Sequence, residues 1–230
     1  MKKVSIVLAG VVLVGVGAVT AFLQMKSPVP ATTSSEKLSE QYFSGSVAHV
    51  TGTSVAATAA QAHIMERLEA FRLRANEEVP ALREHFGTEV PVGHYELGIE
   101  ASVVESTGTE TIVVSEYAYS GGANGMSMYA TFTSPKKGGA LLTLADVIAP
   151  NQHEAFTQLV RTHLGTWAKE HEGATLFPED VAALTFDSFG SWSLSNDDLT
   201  IYFDKYAVGP GALGAITLSI PRTDLAGVLR

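Results

Sequence analysis

The chain has 230 residues, with 24 acidic and 15 basic side chains and no cysteine. Its formal net charge of −9 disfavours nucleic acid and other polyanions as partners. The absence of cysteine from the sequence excludes disulfides, thiolate nucleophiles and cysteine metal sites.

The first 26 residues are predicted to be an N-terminal membrane anchor or signal segment. Lys2 and Lys3 precede an uncharged, apolar stretch over residues 4–23, which as a helix spans roughly 30 Å, about the hydrocarbon thickness of a bilayer. This stretch is longer than the usual core of a secretory signal, so we favour an uncleaved anchor over cleavage after Ala21. The rest of the chain is therefore expected to be exported, either anchored in the inner membrane and facing the periplasm or cell surface, or secreted.

The exported part divides into a spacer and one domain. Residues 27–41 are rich in Ser, Thr and Pro and are predicted to be a solvated spacer. The extracytoplasmic domain is predicted over residues 42–230, with subregions 42–134 and 135–230 that share a core. Without Lys2, Lys3 and Lys26, 12 basic residues face 24 acidic ones, which gives this part a charge of −12 and favours cationic partners.

The first element of the domain is predicted to be a helix over residues 55–78. Apolar residues recur there at spacings of three and four, at Ile64, Leu68, Phe71 and Ala75. Pro80 is expected to end or kink this helix, and a short continuation to residue 86 stops at a glycine.

Three strands are predicted next, because the hydrophobic period changes to two. They cover residues 95–103, 111–119 and 126–133, with turns at 106–109 and 135–139. Short turns between consecutive strands predict an antiparallel meander.

The remaining residues are predicted to form a second helix and a second group of strands. The helix covers residues 154–169, and short strands follow around Phe186, Trp192 and Leu194 and over residues 199–203 and 216–220. Residues 223–229 are expected to close the chain as a short helix. The fold class is therefore α+β, with antiparallel sheets packed against two main helices.

A search for catalytic chemistry identifies no motif. The seven histidines include no pair at the spacing of zinc hydrolases, Ser127 lacks the second glycine of a nucleophile elbow, and phosphate-binding or dinucleotide motifs are absent from the sequence. No catalytic residue, metal site or cofactor is predicted. A pair of acids acting on a glycan stays open as an alternative, with Glu116 and Asp204 as candidates.

The most distinctive segment is Tyr-Ala-Tyr-Ser-Gly-Gly-Ala-Asn-Gly, residues 117–125. Two tyrosines share one strand face, and paired glycines beside an amide side chain can present backbone donors to a ligand. Packing within the sheet and a tight hairpin are the competing interpretations of the same residues. The candidate binding residues are Tyr117, Tyr119, Gly121, Gly122, Asn124 and Tyr206.

This segment resembles the family called domain of unknown function 3298 (DUF3298). The same order of motifs continues with Leu-Thr-Leu-x-Asp at 142–146, a helix, Tyr-x-x-Gly-Pro at 206–210 and Ile-Pro at 220–221, so the resemblance covers roughly residues 90–230. This family includes the C-terminal domain of RsiV, a lysozyme-sensing anti-sigma factor, and domains of some peptidoglycan deacetylases in which a separate domain is catalytic. The family usually has histidine where this chain has Asn124, so no imidazole chemistry is expected there.

The resemblance implies an anchored or secreted, non-catalytic binding domain of the bacterial envelope. The expected partner is a cationic lysozyme-like protein or a cell-wall component such as peptidoglycan, and nucleic acid is not expected. An anti-sigma role is not expected, because only about three residues precede the apolar stretch. The alternatives are a hydrolase of cell-wall glycan or a deacetylase-associated domain, and a structural envelope protein without a small ligand.

Overall fold

The computed structural model describes residues 28–87 and 94–230, so the predicted anchor at residues 4–23 lies outside the described residues. Within them the helices are α1 (Val55–Phe86), α2 (Leu144–Val147), α3 (His153–Glu170) and α4 (Pro178–Ala183). The strands are β1 (Thr32–Ser39), β2 (Phe43–Thr51), β3 (Tyr95–Glu105), β4 (Thr109–Tyr119), β5 (Met126–Pro135), β6 (Trp192–Leu194), β7 (Asp198–Phe203) and β8 (Ile216–Pro221). No helix in these two ranges has both the length and the apolar composition needed to cross a membrane.

The first sheet has the order β1-β2-β3-β4-β5. The predicted meander β3-β4-β5 is present, and β1 and β2 form a further antiparallel pair. β2 and β3 are parallel, however, from Phe43 opposite Tyr95 to Val47 opposite Ile99. Parallel neighbours need a long crossover, and α1 supplies it, so the sheet is mixed where an antiparallel one was expected.

Helix α1 packs along one face of this sheet. Ser54 caps its N-terminus, accepting a hydrogen bond from the Ala57 backbone N–H at 3.0 Å. Pro80 was expected to end or kink the helix, and an end there is wrong, because α1 runs on through Pro80 to Phe86. It stops where predicted, at Gly87, whose φ of 76° is a left-handed conformation that glycine adopts without steric cost.

Residues 32–39, predicted as part of a solvated spacer, form the edge strand β1. Their side chains are almost all exposed, as the polar composition predicts, but their backbone pairs with β2 from Thr32 opposite Thr51 to Ser39 opposite Ser44. An edge strand hydrogen-bonds through its main chain and needs no apolar side chains, so period-two hydrophobicity could not reveal it.

The second sheet has the antiparallel order β6-β7-β8 and packs with α3. Two expectations are wrong in this region. Phe186 lies in a single 3-10 turn, and residues 222–228 form turns where a short helix was predicted. The α+β class is confirmed.

Buried apolar residues form two hydrophobic clusters. One lies between α1 and the first sheet, and the other between α3 and the second sheet. Hydrogen bonds join the two units: the Trp192 backbone N–H donates to Thr131 Oγ1 at 2.9 Å, and the Ser191 hydroxyl donates to the Tyr129 carbonyl at 3.0 Å. The second sheet is thereby fixed against β5 and against the side of the first sheet that faces away from α1.

Candidate functional site

The first sheet has two chemically different faces. The helix face, which packs on α1, is mostly apolar and includes Leu97, Ile99 and Val114. The opposite side, here called the groove face, follows from strand alternation. Two of its rows of directly opposed residues across β3, β4 and β5 are Gly98–Tyr117–Ser127 and Glu100–Ser115–Tyr129.

The second sheet covers only one end of the groove face. At that end Thr111, Val113 and Thr133 are all buried. At the other end Tyr117 remains 42% exposed and Glu100 is exposed. The ring of Tyr202 on β7 packs against that of Tyr129, with centroids 4.9 Å apart, and forms one wall of the space that is left.

This space is an open groove made of two adjoining cavities. The larger has a volume of about 360 Å³, and its lining includes Gly98, Glu100, Ser115, Tyr117, Ser127, Tyr129 and Ala215. The adjoining cavity of about 240 Å³ shares Glu100, Ser115 and Tyr129 and adds Ser102, Val113 and Tyr202. The floor is made of small residues and the walls carry aromatic rings, which is a shape suited to a planar or chain-like ligand.

Some polar groups of the groove make hydrogen bonds within the protein and others do not. The Tyr202 hydroxyl lies 2.9 Å from Ser193 Oγ, and burial raises the pKa of Tyr202, so this hydroxyl keeps its proton at neutral pH. The hydroxyls of Ser115 and Ser127 make no hydrogen bond with any other residue in 28–87 or 94–230, and Glu100 has no ion-pair partner within the same ranges.

The glycine-rich turn lies at one end of the groove. Gly121 and Gly122 have φ of 83° and 108°, and the Tyr119 hydroxyl donates to the Gly122 carbonyl at 3.0 Å. A Cβ at Gly125 would lie 2.4 Å from the Tyr117 ring, so only glycine allows that ring to lie over the backbone there. These glycines and Tyr119 therefore shape the turn and position Tyr117.

Lys205 connects this turn to the loop that follows β7. Its ammonium donates to the Gly125 carbonyl at 2.7 Å, and its backbone N–H donates to the Ser127 carbonyl at 2.9 Å. The same ammonium lies 5.2 Å from the ring centroid of Tyr206, which is 47% exposed and has a φ of 74°. Lys205 thus brings two distant motifs of the sequence, the glycine-rich turn and the Tyr206 loop, to one end of the groove.

The candidate residues predicted from the sequence occupy different places. Tyr117 lines the groove, Tyr206 adjoins its end through Lys205, and Asn124 is exposed on the turn. Sequence reasoning missed Glu100 and Tyr129, which also line the groove. The polar alternation of residues 96–102 was the available signal, but a solvated strand face has the same pattern.

The two acids considered for glycan hydrolysis line one small cavity of about 150 Å³, together with His63 and Arg67. Both oxygens of Glu116 are bound by the Arg67 guanidinium, at 2.7 Å each, and Asp204 accepts the Tyr129 backbone N–H at 2.7 Å. The hydrogen bonds that Arg67 donates to Glu116 raise the pKa of Arg67. A carboxylate held by both oxygens on a guanidinium is a structural ion pair, which accounts for Glu116 without a catalytic role.

Residues 28–87 and 94–230 contain no group of three or more His, Asp or Glu side chains placed to hold a metal ion.

Comparisons with known proteins agree with the motifs. The family model of DUF3298, described as a protein of unknown function, matches residues 145–223. The peptidoglycan-N-acetylmuramic acid deacetylase PdaC of Bacillus subtilis (strain 168) is 27% identical over 139 residues, which are 59% of this chain and 29% of PdaC. The chain thus spans less than a third of the length of this curated relative.

Two solved structures share the fold. A DUF3298 family member from Bacteroides fragilis gives a TM-score of 0.61 at 16% identity and covers 89% of this chain and 96% of its own. A DUF3298 family protein from Pseudomonas aeruginosa gives a TM-score of 0.53 at 19% identity, with coverage of 88% and 94%. At these identities the likeness concerns the fold alone.

Proposed function

Because residues 145–223 match the DUF3298 family, as the sequence motifs predicted, we propose that the chain is a non-catalytic binding domain of the bacterial envelope. Its ligand in this proposal is a cell-wall component that lies in the groove on the first sheet. The observation that carries the proposal is the groove itself, in which the rings of Tyr117 and Tyr129 flank a floor built from Gly98 and Ser115.

The lining of the groove suits a saccharide chain. Tyrosine rings offer broad apolar surfaces at a small cost in side-chain entropy, and the serine hydroxyls can donate to or accept from sugar hydroxyls. The relative PdaC acts on peptidoglycan by its name, and part of its length is similar to this chain. Two acids line the larger cavity, Glu100 and Glu116, and both oxygens of Glu116 accept hydrogen bonds from Arg67, so this lining suits binding better than hydrolysis by a pair of carboxylates.

Export is part of the same proposal. Residues 4–23 act as the anchor or signal that delivers the domain to the periplasm or cell surface. With an uncleaved anchor, β1 begins fewer than ten residues after the apolar stretch, so the domain would be held close to the membrane and within reach of the inner side of the wall.

Cosedimentation of the full-length, detergent-purified protein with isolated peptidoglycan sacculi tests this function. We expect the wild-type protein to sediment with sacculi and Tyr117→Ala to lose most of that binding. Leu73→Ala is the matched control, because Leu73 is 56% exposed on α1, on the other side of the sheet. A wild-type protein that stays in the supernatant, or equal binding by Tyr117→Ala and Leu73→Ala, contradicts the proposal.

A second candidate ligand is a cationic lysozyme-like protein. The charge of −12 on residues 27–230 favours it, because charge complementarity speeds and strengthens association with a basic partner. Immobilised protein should then retain lysozyme at low salt and release it as ionic strength rises. No retention at low salt would remove this candidate, and retention that is unaffected by Tyr117→Ala would place it on a surface other than the groove.

A further inference from the structure

We infer that the groove selects a glycan that carries free amino groups, with the Glu100 carboxylate binding the ammonium of a de-N-acetylated amino sugar. This inference rests on the proposed function and specifies the ligand of the same site. Three features of the groove support it: the position of Glu100 near a tyrosine ring, the engagement of Lys205 and Arg67 by other groups, and the chemistry of the rings and hydroxyls.

The first feature is the position of Glu100. It stands in the row Glu100–Ser115–Tyr129, so the carboxylate and a tyrosine ring rise from strands on either side of a small residue. Two inter-strand spacings separate their backbones by about 10 Å. A ligand lying over Ser115 can therefore meet the carboxylate on one side and the ring on the other.

The second feature is that nearby cations are already engaged. The Lys205 ammonium donates to the Gly125 carbonyl, and the Arg67 guanidinium binds Glu116 on the helix face. Within residues 28–87 and 94–230, no basic side chain pairs with Glu100. This exposed carboxylate is therefore available to a cationic group of a ligand.

The third feature is the chemistry of the rings and hydroxyls. A tyrosine face attracts an ammonium group as well as the apolar face of a sugar, so Tyr117 and Tyr129 reinforce the preference set by Glu100. The free hydroxyls of Ser115 and Ser127 remain available for neutral sugar hydroxyls. An N-acetylated sugar would keep the contacts with rings and hydroxyls but would offer Glu100 no charge.

Titration calorimetry of the full-length protein with two oligosaccharides tests the inference. The probes are a glucosamine oligomer and the N-acetylglucosamine oligomer of the same length, at a pH that keeps the amines protonated. We expect the glucosamine oligomer to bind about tenfold more tightly, the effect of one partly solvated charge pair worth about 1.4 kcal/mol. Glu100→Gln should abolish this preference while leaving the affinity for the N-acetylated oligomer unchanged.

Two variants make the test specific. Glu96→Gln removes the same charge from the same face of β3 but does not line the cavity, so it should retain the preference. Gly98→Val should weaken the binding of both oligomers about tenfold, because the added side chain fills the floor of the groove. The fold should tolerate this change, since a Cβ at Gly98 would lie at an ordinary contact distance of 4.0 Å from Tyr117 Cβ. Unfolding curves for each variant show that the fold is retained.

The outcomes separate this inference from the proposed function. The inference would be overturned if the N-acetylated oligomer bound equally well or more tightly. It would also be overturned if Glu96→Gln and Glu100→Gln lost the preference for the glucosamine oligomer to the same extent. If neither oligomer binds but the protein still sediments with sacculi, the inference is overturned and the proposed function stands. If sacculi are not bound either, both fall.

Discussion

Carboxylates on the two faces of the first sheet differ in burial and in their bonding partners. On the helix face, Glu116 is bound by Arg67, and Glu110 is buried and accepts hydrogen bonds from the Ser54 hydroxyl at 2.5 Å and the Ala31 backbone N–H at 2.9 Å. On the groove face, Glu100 is exposed and has no ion-pair partner within residues 28–87 and 94–230. A buried charge must be satisfied by the protein, whereas an exposed one remains available to a ligand.

Neighbouring residues of β3 give the largest expected contrast between the faces. Ile99 is 1% exposed on the helix face, so Ile99→Ala should lower the free energy of unfolding by about 3 kcal/mol through lost burial and the cavity left behind. Glu100→Ala should change it by less than about 0.5 kcal/mol. Urea unfolding measures both, and similar effects of the two substitutions would show that the faces do not differ as described.

Removal of Arg67 tests whether the helix face needs its ion pair. Arg67→Ala should destabilise the protein by about 2–3 kcal/mol, because Glu116, with a side chain only 6% exposed, would be left without its partner. The partial exposure of Arg67 lets water reach the site and keeps the loss at the lower end of the range for buried pairs. The double variant Arg67→Ala/Glu116→Gln should recover part of that stability. No recovery would argue against a role for the unpaired charge.

Ser54 serves both α1 and a buried carboxylate, so its removal should have a moderate effect. Ser54→Ala deletes the N-cap of the helix and the hydroxyl donor to Glu110, and we expect a loss of about 1–2 kcal/mol in urea unfolding. Thr58→Ala, on an exposed position of the same first turns, should cost less than about 0.5 kcal/mol. A loss in Thr58→Ala that matches Ser54→Ala would contradict this account of the cap.

Tyr95→Phe should lower the free energy of unfolding at neutral pH by about 1 kcal/mol, through the lost hydrogen bond. Burial raises the pKa of Tyr95 to about 12, and its hydroxyl donates to Glu78 at 2.7 Å. The folded state therefore keeps this proton when the unfolded chain loses it, so stability should fall as pH rises from 10 towards 12. Tyr95→Phe should remove that alkaline slope, and an unchanged slope would contradict the assignment.

At acid pH, the hydrogen bond between Tyr95 and Glu78 makes stability depend on pH in the opposite direction. The hydrogen bond from Tyr95 lowers the pKa of Glu78, with a further contribution from Arg74. This stabilisation is present above the pKa of an unfolded glutamate and is lost as pH falls through the lowered folded value. The free energy of unfolding of Tyr95→Phe should therefore depend less steeply on pH in the acid range than that of the wild-type protein.

Sequence reasoning located most elements but only part of the candidate site. The helices α1 and α3 and the strands β3 to β5 could be predicted from their strong hydrophobic periodicity, because burial of one face requires that pattern. β1 was missed because an exposed edge strand has no apolar face. Tyr117 was selected from its motif, but Glu100 and Tyr129 could not be, since their relation depends on the register of three strands.

The sequence by itself determined the α+β class, the related family and the turn at residues 121–125, because glycine positions and hydrophobic periods act over a few residues. Only the tertiary structure decided that β2 and β3 run parallel, that the second sheet covers one end of the groove face, and that Lys205 joins two distant motifs. These features arise from contacts between residues far apart in the chain, which no local pattern specifies. The groove exists because the second sheet stops short of Tyr117.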